Sequence, residues 1–187
     1  LGLTHPTSII ATSTPWGGPA SNPASYPLAM RAEMEFPARG SQPPVKLFWS
    51  DGGLVPILPG EVQLPGGDGG GGVFIGEKGY LTYETYGDNP KVYPESLAAE
   101  AERVPKTLPR IEVPHEINFA QACKGEAQVS CPFDYASPLT EAMLLPIVAL
   151  RAGQGKRIMY DGANMKVTNA PDVNQYLRRE YRQGWAI

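Results

Sequence analysis

The sequence predicts an α+β domain: an open-faced, mainly antiparallel β-sheet with helices packed on one face. Short β-branched or alternating runs fill the first half of the chain, and helical periodicity is confined to the second. The early strands follow one another with no helix between them, which calls for hairpin connections rather than crossovers. The 187 residues read as a single domain over 1–187 with no internal repeat.

Each element has its own signal. Residues 7–14, TSIIATST, are a β-branched strand, and 15–26, PWGGPASNPASY, a loop. Residues 28–36 alternate, with Met30, Ala32, Met34 and Phe36 on one face and Arg31, Glu33 and Glu35 on the other. In 44–51, Val45, Leu47 and Trp49 share a face while Phe48 points the other way. VFIG and YLTYET flank a tight turn at EKG and form a hairpin, and a further strand lies at 91–93. Residues 95–104 are helix-prone, and 104–114, VPKTLPRIEVP, are an extended connector. Residues 115–125 form a helix closed by Gly125.

The strongest helix is 137–153, SPLTEAMLLPIVALRAG, with Ser137 as cap, Pro138 in the first turn and Gly153 as stop. Leu139, Met143, Ile147 and Leu150 make its apolar stripe, and Pro146 kinks it by removing a backbone donor. A strand at KRIMYDG and a last helix over 170–184, with Val173, Leu177 and Tyr181 on one face, complete the order.

Glycine and proline number 21 and 20, roughly double ordinary usage. With 42% hydrophobic residues beside them, these mark long ordered loops on a folded scaffold rather than disorder. The glycine run GGDGGGG at 66–72 invites a dinucleotide-binding reading. That motif needs a strand before it and a helix after it, so that helical N–H groups meet the pyrophosphate. Here a proline-rich stretch precedes the run and a hairpin follows, so it is no nucleotide loop.

A net charge of −3 gives no basic footprint for nucleic acid. The longest apolar run, AMLLPIVAL, is too short to cross a membrane, and it holds a proline. The start, LGLTHPTS, carries no leader pattern and no methionine, which reads as a processing boundary. Cys123 and Cys131 match no zinc spacing and read as buried free thiols, a disulfide staying open as the alternative. His5 reads as a surface residue and His115 as a helix-start residue, so no catalytic residue or metal site is expected.

The candidate binding residues lie at loop mouths. Arg39 leaves one strand, and Trp49 and Asp51 stand where the next runs into glycines. An aromatic face, a guanidinium and a carboxylate suit a sugar, by stacking on its CH faces and bonding its hydroxyls. The alternative is a structural Arg39–Asp51 salt bridge. Arg178 and Tyr181, in YLRREYRQGW, are the second candidate pair, against the alternative of a solvated helix face. A second apolar set, Phe48 and Tyr86 among them, lies off the predicted core face. A sheet covered on one side must hide such residues, so a sheet-to-sheet homo-oligomer is expected.

FPARGSQPPVKLFWSDGGLVP, GGVFIGEKGYL, YGDNPKVYPES, PKTLPRI, FDYASPLTEAMLL, VALRAG and NMKVTNAPDVNQYLRREYRQGW, in that order, span nearly the whole chain. Together they resemble the C-terminal domain of the Gfo/Idh/MocA oxidoreductases, in a bacterial subgroup with long proline-rich loops. The resemblance implies the substrate-binding and oligomerisation half of an enzyme whose N-terminal Rossmann domain holds NAD(P). No cofactor is expected in this chain, and a small-molecule sugar or glycoside is the implied substrate. The family's Glu-Lys-Pro motif has only Glu77-Lys78-Gly79 as a counterpart, in a hairpin turn, so the chain alone is expected to be inactive. An NAD-dependent glycoside hydrolase or lyase, and a stand-alone carbohydrate-binding or structural domain, are the alternatives. A bacterial cytoplasm and a periplasm fit equally well.

Overall fold

A computed structural model describes residues 1–22, 25–60, 62–64 and 70–185. The fold is α+β, with two antiparallel sheets rather than one. The chain divides into two compact units, Leu1–Leu54 with Glu116–Ile187, and Val55–His115.

The first unit holds a five-stranded sheet. In it, β1 (Ser8–Ser13), β2 (Met30–Phe36) and β3 (Val45–Ser50) form a meander, and β7 (Ile158–Asp161) and β8 (Lys166–Val167) extend it in the order β3-β2-β1-β7-β8. Pairing runs from Ser8–Glu35 to Ser13–Met30, and from Arg31–Ser50 to Phe36–Val45. This register puts Ile9, Ala11, Met30, Ala32, Met34, Phe36, Ile158, Tyr160 and Val167 on one buried face. The alternation expected for β2 is therefore the one observed, with Val45 and Leu47 packed against its edge and Phe48 turned outward.

Helix α4 (Phe133–Ala152) covers that face, burying Ala142, Leu145, Val148, Ala149 and Leu150. Each buried Leu or Val side chain among them is worth about 1.5–3 kcal/mol. The helix departs from its expected form in two ways. It starts at Phe133 after the extended Pro132, so Ser137 is no cap and Pro138 lies inside the helix. Its buried stripe is Ala142, Leu145 and Ala149, whereas Leu139 is exposed. AMLLPIVAL is apolar nearly all round, so spacing alone leaves the rotation about the axis undetermined. Pro146 is buried within the continuous helix.

The remaining elements of this unit are small. A short α1 (Gly18–Ser21) falls in the expected loop. Helix α3 (His115–Cys123) closes as expected: Gly125 has φ +76°, and the Glu126 N–H donates to Gln121 O at 2.9 Å. Asn118, buried in α3, receives the Ser130 N–H and donates to Gln128 O, which folds the following loop back along the helix. Cys123 and Cys131 are free and exposed, not buried as expected. The last helix is only a 3-10 turn, Pro171–Tyr176, held by Asn174, whose side chain bonds both the N–H and the C=O of Val167. Val173 is buried and Leu177 half-buried, but the chain is irregular beyond Tyr176 and Tyr181 is exposed.

In the second unit, β4 (Gly72–Ile75), β5 (Tyr80–Tyr83) and β6 (Lys91–Tyr93) form a three-stranded sheet, followed by α2 (Glu95–Ala101). The expected hairpin is present, with Glu77 and Lys78 at its turn. Gly79 is required there, because a Cβ would collide with Tyr93 O. Residues 66–69 of the glycine run lie outside the described residues.

Candidate functional site

The face of the five-stranded sheet opposite α4 carries charge rather than an apolar surface. Alternation along β2 puts Glu33 and Glu35 there, and the register sets Lys46 opposite Glu35 and Phe48 opposite Glu33. The Lys46 ammonium lies 3.0 Å from Glu35 and 3.5 Å from Glu33. Arg157, just before β7, reaches the same two carboxylates at 3.9 and 3.5 Å and donates to Ser8 Oγ at 2.9 Å. Ser8 Oγ in turn donates to Glu35 at 2.9 Å. The Lys46 and Ser8 hydrogen bonds hold the Glu35 carboxyl below the usual glutamate range, and Glu35 raises Lys46 in return. Phe48 and Met159 stand exposed at the flanks, and Tyr86 lies in a loop of the other unit. The expected apolar patch is thus an ionic lattice with isolated apolar neighbours.

Trp49 and Asp51 meet at one end of the β2–β3 hairpin. The Trp49 indole N–H donates to Asp51 Oδ2 at 3.2 Å, and Asp51 Oδ1 accepts the Met30 N–H at 2.7 Å. This carboxylate therefore fixes both the start of β2 and the tilt of a part-exposed indole. Gly52, with φ +61°, lets the chain turn immediately after it, where a Cβ would strike Leu28 and Ala29.

Arg39 lies at the opposite end of the hairpin, and its guanidinium donates to the carbonyls of Leu1, Pro37 and Pro43. Five strand residues separate the two ends, a span of about 17 Å. That spacing joins Trp49 with Asp51 and keeps Arg39 from both, so neither the three-residue cluster nor the Arg39–Asp51 bridge is formed. Arg178 and Tyr181 are exposed in the irregular segment after the 3-10 turn. Beside them, the Arg151 guanidinium sits over Tyr176 at 4.6 Å and Arg182 over Trp185 at 4.4 Å.

One cluster escaped the sequence reading. Glu141 Oε1 accepts the Tyr160 hydroxyl at 2.7 Å and lies 2.9 Å from His5 Nδ1. Against a carboxylate, which accepts, the His5 contact is a hydrogen bond in the form whose Nδ1 carries a ring proton. Burial, then the bond to Glu141, pushes the Tyr160 hydroxyl well above its usual pKa. Gly162 leaves room for the ring, since a Cβ there would overlap His5. His5 and Glu141 are 136 positions apart, and no local spacing signals their meeting.

Among the described residues, no group of His, Cys, Asp or Glu is arranged to hold a metal ion. The described end of the glycine run, residues 70–72, leads into the strand β4 and not into a helix. No described helix is long and apolar enough to cross a membrane. No protein-family model matches the chain, and neither does any curated protein.

Proposed function

We propose that the chain is the substrate-binding and oligomerisation half of an NAD(P)-dependent oxidoreductase acting on a sugar or glycoside. Nucleotide binding and the acid–base groups belong to a separate Rossmann domain, and no chemical step is assigned to residues of this chain. The observation that carries the reading is the one-sided sheet. One face is sealed by α4, while the other presents the charged groups of Glu33, Glu35, Lys46 and Arg157. Such a lattice can pair with a second copy, whose cations would fall on these anions across a two-fold axis. The sugar contact is placed at Trp49 and Asp51, an indole face for ring CH groups beside a carboxylate for hydroxyls. Arg39, Arg178 and Tyr181 are the further substrate candidates.

Titration of the isotope-labelled chain with aldoses, polyols and glycosides tests this. The reading predicts a saturable shift of the Trp49 indole N–H resonance that Asp51→Asn removes. Indifference of that resonance to the whole panel counts against sugar binding here.

A further inference from the structure

The small sheet holds its shape with very little buried surface. Along Gly72–Ala101, which carries β4, β5, β6 and α2, the one buried residue is Thr82. That residue is polar, and its hydroxyl has no partner among the described residues. Helix α2 is seven residues long and buries none of them. A helix of that length is marginal in water by itself. The strands are four, four and three residues long, and Phe74, Ile75 and Tyr86 are exposed. A three-stranded sheet needs a buried apolar face to be stable in its own right.

The core cluster of the first unit draws its members, Ile9 to Phe36 and Ala142 to Val173, from outside this segment. The strands β4, β5 and β6 form a sheet of their own. Opening them therefore breaks no strand pair of the five-stranded sheet and removes no residue from that core. Within the segment the parts are interlocked. The central strand β5 pairs with both of its neighbours. Gly79 sets the entry of β5 against β6 and α2, since a Cβ there would collide with Tyr93 O and press on Leu97. Loss of β5 thus releases β4, β6 and α2 at once.

We infer that β4, β5, β6 and α2 open and close as one order–disorder element while the five-stranded sheet and α4 stay closed. Few buried apolar contacts and short ladders put a segment at the low end of local stability. The element is a conformational device built into the fold: a ligand that touches only its closed form shifts the equilibrium by mass action. The inference rests on burial and strand pairing and stands apart from the sugar-oxidoreductase reading.

Native-state hydrogen exchange on the whole chain tests it. In the parent, the amides of β4, β5 and β6 exchange together, and faster than those of β1 and β2. Gly79→Ala, which sets a Cβ against Tyr93 O, speeds the small-sheet amides about tenfold or more and leaves β1 and β2 unchanged. If that variant cannot close its small sheet at all, those amides lose protection while β1 and β2 keep theirs, which is the same result at its limit. Ile158→Val, which thins the core beneath α4, speeds β1 and β2 about twofold to tenfold and leaves the small sheet unchanged. Small-sheet amides as slow as those of β1 and β2 in the parent overturn the inference. So does acceleration of both sheets by either variant, or of β6 alone by Gly79→Ala.

Discussion

Thr82→Val is expected to stabilise the protein, against the usual direction for a buried substitution. Thr82 lies in the central strand of the small sheet, fully buried, and its hydroxyl has no hydrogen-bond partner among the described residues. A buried polar group left unpaired costs about 1–3 kcal/mol in desolvation. Valine keeps the branching and nearly the volume of threonine, so the change removes that cost without opening a cavity. A gain of about 1.4 kcal/mol would slow local opening tenfold. Hydrogen exchange of the β4, β5 and β6 amides reads this directly, because slower opening appears as slower exchange there and nowhere else. Thr82→Ser is the paired control: it keeps the hydroxyl, loses a methyl, and should cost about 1 kcal/mol. Faster exchange in Thr82→Val than in the parent would refute the reasoning, since it would mean that the hydroxyl has a partner worth keeping.

Tyr160→Phe should flatten the alkaline stability profile. The folded-state pKa of Tyr160 is raised, so its contribution is complete below the unfolded value of about 10 and fades as pH climbs beyond it; denaturant midpoints across that range check this. Glu35 behaves in the opposite sense, because its folded pKa is lowered: its contribution is present above the ordinary glutamate range, about 4.3, and is lost on further acidification. The measurement is the acid limb of parent and Glu35→Gln, and indistinguishable limbs would contradict the pairing. Gly162→Ala should displace His5 from Glu141, seen as a shift of the His5 imidazole resonances, with a cost of about 1–3 kcal/mol. Lys46→Glu places a third carboxylate beside Glu33 and Glu35; the proposed sheet-to-sheet pairing predicts a mass above the monomer for the parent in sedimentation, lowered by this change and by added salt.

The sheet was legible in the sequence because its signal is local. Met30, Ala32, Met34 and Phe36 alternate with charges, and that alternation alone fixes which side of β2 is buried. Gly125 marks the end of α3 for a similar reason, since a left-handed residue there needs no distant partner. Apart from the start of α4, where Ser137 and Pro138 gave a false local signal, the failures are non-local. Helix α4 is apolar on most of its circumference, so the sheet beneath it, not its own spacing, chooses Leu145 over Leu139. The helical spacing of residues 170–184 is realised only as the 3-10 turn Pro171–Tyr176: Val173 and Leu177 reach the core, while Tyr181 is exposed. Among the candidate site residues, Trp49 and Asp51 are neighbours in sequence and meet in space. Arg39 is ten positions from Trp49, and an extended strand carries it to the far end of the hairpin. The His5–Glu141–Tyr160 cluster joins three elements, and only the packing of α4 onto β1 and β7 brings them together.

The most direct test is to isolate the native protein with an antibody raised against this chain, supply NAD+ or NADP+ with a sugar panel, and follow nicotinamide fluorescence. The account predicts reduced nicotinamide from the native protein with at least one sugar, and none from the 187-residue chain by itself. A native protein that binds the sugars but transfers no hydride from any of them would contradict it and leave a carbohydrate-binding module.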